Sequence, residues 1–189
     1  AWSAADCVSV WNARVAASGS NGNSAGNILA VQNNLARTYH LLGRHEEALN
    51  LRRDVYSGCL KLNGEERYET LAAANNYAIS LKDLSRFNEA RALLRKVMPV
   101  ARRVLGESDL ITLKMRRHYA QTLYKDPVAT LDDLREAVTT LEDAGRIARR
   151  VFGGAHPMTK DNEAILLNAR VLLNARAALR ARETPSGSA

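Results

Sequence analysis

A chain of 189 residues with 46% hydrophobic and 25% charged side chains can bury a core, which excludes a mostly disordered polymer. With 5% aromatics, 11 glycines and 4 prolines it is too poor in turn formers for an all-β sandwich, and its Ala, Leu and Arg content favours helix. The net charge of +7 favours acidic partners, while two cysteines, Cys7 and Cys59, form no disulfide framework and point to a reducing compartment.

In chain order, residues 1–24 begin as the tail of an earlier helix, with Val8, Val10, Trp11 and Val15 on an apolar face, and end in a loose Ser18–Ser24 loop. Residues 25–66 carry two helical stripes, Val31, Leu35, Tyr39 and Leu42, then Ala48, Leu51, Val55, Cys59 and Leu62, joined at Gly43-Arg44-His45. Residues 67–108 repeat the plan with Leu71, Ala74, Tyr77, Ala78, Leu81 and Leu84, then Phe87, Ala90, Leu94, Val97, Ala101 and Val104, joined at Ser85-Arg86. Pro99 falls inside the second of these helices and predicts a kink. Residues 109–155 form a third unit with an insertion near 124–128, where Asp126-Pro127 punctuates the chain. Residues 156–183 read as a C-terminal capping helix with surplus apolar surface, which predicts packing on a second copy or on neighbouring protein. Residues 184–189 read as a disordered tail.

The units share a period. Asn33-Asn34-Leu35-Ala36 returns as Asn75-Asn76-Tyr77-Ala78 and as Arg117-His118-Tyr119-Ala120, each 42 residues on. Gly22, Gly64 and Gly106 keep the same interval, and Gly153 follows after 47, the excess being the insertion. Thr70, Thr112 and Thr159 each lie six residues after their glycine. The fold class expected is all-α: antiparallel helix pairs stacked as an α-solenoid, with a period that HEAT and armadillo repeats share.

The segment Asn33 to Ala48, read as Asn-Asn-Leu-Ala-x-x-Tyr-x-x-x-Gly-Arg-x-x-Glu-Ala, resembles the tetratricopeptide repeat of the kinesin light chain type. Gly153-Gly154-Ala155-His156-Pro157-Met158-Thr159 resembles the segment that links repeats in that family. The likeness spans about residues 25–180; the third unit departs from it in its Asn pair, its turn and its insertion. It implies a tetratricopeptide-like, right-handed superhelix whose first helices line a concave groove, with polar residues that hold the backbone of an extended peptide.

On the groove-facing stripe stand Asn33, Asn34 and Arg37, then Asn75, Asn76 and Lys82, then Lys114, Arg117, His118, Gln121 and Lys125. One Asn of each pair is expected to tie neighbouring repeats and the other to face the groove. The basic members predict an acidic peptide, and hence a protein-interaction scaffold rather than an enzyme. The four histidines share no metal-binding spacing, no glycine loop suits a phosphate, and neither cysteine has an activating neighbour, so no catalytic residue, metal or other cofactor is expected. The rival use of the charge is sequence-blind nucleic-acid binding by the pairs Arg52-Arg53, Arg102-Arg103, Arg116-Arg117 and Arg149-Arg150. Interleaved acids and few aromatics for base stacking argue against it. A spacer within a longer array is the remaining alternative. No apolar run spans a membrane and no signal-peptide pattern opens the chain, so the expected location is the cytoplasm. A start at Ala1 without methionine reads as a fragment or processed chain.

Overall fold

The computed structural model describes residues 22–183, in which there are seven α-helices and no strand. They are α1 Gly22–Leu41, α2 His45–Asn63, α3 Tyr68–Asp83, α4 Phe87–Leu105, α5 Leu110–Tyr124, α6 Leu131–Phe152 and α7 Pro157–Glu183. Connections of three to six residues join the helices; α1 packs on α2, and α4, α5, α6 and α7 pack each on the next, so the class is that of an all-α repeat solenoid. The expectations for residues 1–21 and 184–189 lie outside the described residues. Gly22, Asn23 and Ser24 belong to α1 rather than to the expected loop, as Asn and Ser suit a helix's first turn.

The chain forms two compact units, divided inside α3 between Ala73 and Ala74. In the first, Ala36 and Ala48 are fully buried with Tyr39 and Leu51 around them, and Val55, Cys59 and Ala73 form a second cluster. Gly58 lets α1 approach α2: a Cβ there would stand 2.6 Å from the Leu29 side chain. The core of the second unit holds Leu94, Leu113, Met115, Leu123, Leu134 and Leu141, all at 0% exposure. Ala78, Ala90, Ala120 and Ala137 are likewise fully buried, so small side chains mark the helix contacts as their spacing predicts.

The periodic glycines have a conformational cause. Gly64, Gly106 and Gly153 follow α2, α4 and α6 with φ of 80, 90 and 82°, and each N–H returns to the carbonyl four residues back. Two of the three periodic threonines then fasten the next helix: Thr70 Oγ1 donates to the Cys59 carbonyl at 3.2 Å, and Thr159 Oγ1 to the Gly153 carbonyl at 2.9 Å, whereas the buried Thr112 Oγ1 has no protein partner. Between first and second helices Gly43 takes φ 75°, and 42 residues later Ser85 adopts φ 59° at a steric cost of about 1–2 kcal/mol. α4 runs on through Pro99, whose missing N–H leaves the Arg95 carbonyl without its helical donor.

The insertion is a built loop. Asp126, which is buried, accepts from the Val128 N–H at 3.1 Å through Oδ1 and pairs with Arg91 Nη2 at 3.3 Å through Oδ2. Arg91 also donates to the Thr122 carbonyl at 3.2 Å and stands 3.7 Å from Asp133. Thr130 then caps α6 in a reciprocal arrangement with Asp133. From α7, Arg176 donates to the Pro127 carbonyl at 2.9 Å and to the Ala129 carbonyl.

One core position breaks the apolar pattern. Asn162 on α7 is fully buried and neither atom of its amide has a protein partner, whereas Met115 fills the corresponding place 47 residues earlier. Leucine has the same branched shape without the desolvated amide. Asn162→Leu is therefore expected to raise the unfolding free energy by about 1–3 kcal/mol, read from urea melts at unchanged slope. A loss of stability would show that the amide is satisfied.

Candidate functional site

The expected site residues fall in both units. In the first, Asn34 and Arg37 are exposed on α1 and Asn33 is half-buried. In the second, the C-terminal half of α3 and the length of α5 bring together the remaining members. Lys82 Nζ donates to Gln121 Oε1 at 3.1 Å and lies 3.4 Å from Asp83 Oδ1, with only 10% of its side chain exposed. Gln121 Oε1 also lies 3.0 Å from His118 Nδ1; since an amide oxygen only accepts, that nitrogen carries the proton. Arg117 Nη1 reaches Asp161 on α7 at 3.0 Å and the Met158 sulfur at 3.7 Å. Lys125 is exposed at the C-terminal end of α5, and Lys114 is half-buried one turn before Arg117 and His118.

The electrostatics follow from this packing. Burial, then the Lys82 and Arg117 cations, hold the His118 imidazole down to about 3, far below its ordinary range, so it is neutral at pH 7. Burial also lowers Lys82; Asp83 opposes that shift, and Lys125 and Arg117 reinforce it. Lys82, Lys114, Arg117 and Lys125 face two carboxylates, Asp83 and Asp161, which leaves the cluster positive.

Asn75, His118 and Gln121 do not line an open surface. All three are buried, and the Asn75 Oδ1 has no protein partner. Gln121 and His118 form the floor that fixes Lys82, while Asn76, next to Asn75 in sequence, is half-buried. Spacing along a helix places them on the right stripe, but whether a polar residue at the edge of that stripe sits above or beneath its neighbours depends on the flanking helix. Asp161 was missed because it comes from α7, 44 residues from its partner.

The rival surface is largely neutralised. Arg102 binds Glu107, Arg116 lies between Glu107 at 3.3 Å and Asp143 at 3.7 Å, and Arg149 binds Glu163. Cys59 is buried, which raises its thiol above the ordinary range and leaves it a core residue. Among the described residues no helix is long and apolar enough to cross a membrane.

Comparison with known proteins completes the description. Residues 27–102 match the family model described as tetratricopeptide repeat. Of solved structures, 34 chains match. One is a "Podosopora anserina putative kinesin light chain" of nearly identical TPR-like repeats; it is 23% identical with a TM-score of 0.66, over 84% of this chain and 77% of that one, and a single-residue variant of it matches equally. BtubC (BKLC) from P. vanneervenii aligns with a TM-score of 0.54 at 16% identity, over 91% of this chain and 71% of that one. No curated protein sequence matches the chain. The fold is that of tetratricopeptide repeats, shared with these solved structures.

Proposed function

We propose that this tetratricopeptide-repeat chain is a non-catalytic cytoplasmic scaffold that holds an extended acidic peptide of a partner protein against its first helices. Tetratricopeptide repeats are protein-interaction modules, and the observation that supports an acidic ligand is the α3–α5 cluster. Four cations surround a floor made rigid by the Lys82–Gln121–His118 bonds, and only two carboxylates compensate them. Lys114 and Lys125 retain exposure to meet side-chain carboxylates, while Lys82 and Arg117 sit deeper and are already oriented. Such charges act mainly on association rate and on discrimination between partners.

The test is binding of a fluorescein-labelled, glutamate-rich peptide, followed by polarisation over a salt series. Each exposed charge contributes about 0–1 kcal/mol, so Lys114→Ala with Lys125→Ala is expected to weaken binding roughly tenfold and flatten its salt dependence. Arg102→Ala with Arg149→Ala should leave the peptide affinity unchanged. If that second pair alone matters, and a single-stranded RNA probe responds with it, the nucleic-acid reading replaces this one. If neither probe binds, the chain is a spacer.

A further inference from the structure

α7 exposes an apolar ridge that the repeat architecture does not use. Leu167, Val171, Ala175 and Leu179 stand four residues apart and are all exposed, the three large ones at 63, 61 and 56%. Over twelve residues this ridge runs about 18 Å. Its flanking arginines point elsewhere: Arg170 binds Glu142 at 2.5 Å, and Arg176 is held by the insertion loop.

A further second helix in the manner of the preceding units does not suit this ridge. Leu167 stands 47 residues after Ala120, where Ala78 and Ala120 are fully buried because a second helix passes close to them. A leucine there blocks that approach. The preceding units also turn after Leu41, Asp83 and Tyr124, whereas α7 continues past the matching Val171 to Glu183.

The order of side chains along the ridge points to its occupant. Read in either direction it is large, medium or small, medium or small, large, so it complements its own reverse. We propose that α7 pairs antiparallel with α7 of a second copy, about a two-fold axis midway between Val171 and Ala175. Leu167 then meets Leu179 of the second copy, and Val171 meets its Ala175, filling the contact without a gap or a clash. Ridges of four-residue spacing interlock with axes crossing at about −50°, which keeps the remainder of each copy apart. The contact is isologous and closes as a dimer. One helix pair is a small interface, so the dissociation constant is expected to be roughly micromolar to tens of micromolar.

Sedimentation equilibrium of the 189-residue chain between about 5 and 300 µM tests this range directly. A monomer–dimer equilibrium is expected, and Leu167→Asp should raise its dissociation constant at least about tenfold with an unchanged helical spectrum. Val171→Ala and Ala175→Val should each weaken it, and together restore it, because the two positions face each other across the axis. In a chain with Cys7 and Cys59 replaced, Leu167→Cys should form a disulfide with Leu179→Cys when the two are mixed, and not with itself. A strict monomer over the whole range, a dimer indifferent to Leu167→Asp, or a Leu167→Cys chain that links to itself would each overturn the pairing.

Discussion

Arg91→Ala lowers the unfolding free energy by about 3–5 kcal/mol, the expected cost of leaving a desolvated carboxylate without its counter-ion. Arg91 and Asp126 expose only 15 and 9% of their side chains, so water cannot replace the lost guanidinium as it would at a surface. The Thr122 carbonyl loses a donor and Asp133 a nearby cation at the same time, and the insertion loop loses its anchor to α4. Arg86→Ala serves as the control, because its ion pair with Glu89 is about half exposed on both sides and should contribute about 0–1 kcal/mol. Denaturant titrations of the two variants decide the matter. Equal small losses would mean that the loop holds its shape without Arg91.

The second large effect is on pH dependence. The His118 imidazole titrates at about 3 when folded, against an ordinary value of 6.5. Above pH 6.5 both states are neutral there and the full stability is present. As the pH falls from 6.5 towards 3 the unfolded chain takes up a proton that the folded one refuses. Stability is then lost by up to about 1.4 kcal/mol per pH unit. Carboxylates also titrate near the lower end, so the informative quantity is the difference from His118→Gln between pH 6.5 and 5. The variant should lack this slope. Parallel curves would show that His118 takes up its proton while folded. Lys82→Met should raise the folded His118 value, since the Lys82 cation is, after burial, the largest cause of its depression.

Much of the fold was legible because its signals are local and repeated. Gly64, Gly106 and Gly153 mark helix ends since each adopts a positive φ that other residues resist, and a turn that recurs leaves a glycine that recurs. Ala36, Ala78 and Ala120 mark helix contacts because only a small side chain admits a second backbone there. The place of the insertion was legible as well, from the interval between alanines. Its fastening was not: Arg91 and Asp126 are 35 residues apart, and only this unit has a loop to hold. For the candidate site the helical period decides which residues share a stripe, not how deep each of them lies. Asn75, His118 and Gln121 satisfy the same helical period as Lys114 and Lys125, and packing by the neighbouring helix decides which are covered.

The Arg176 clasp has a consequence for how the molecule opens. Terminal helices fray from their free end, and amide hydrogens there exchange with solvent through small local openings. In α7 the residues beyond Arg176 can unwind without disturbing any of its contacts to the insertion loop. Further unwinding must release the Pro127 and Ala129 carbonyls together. Exchange along α7 should therefore step rather than grade. The loop and the preceding turns of the helix should then open as one cooperative block, held by a single guanidinium.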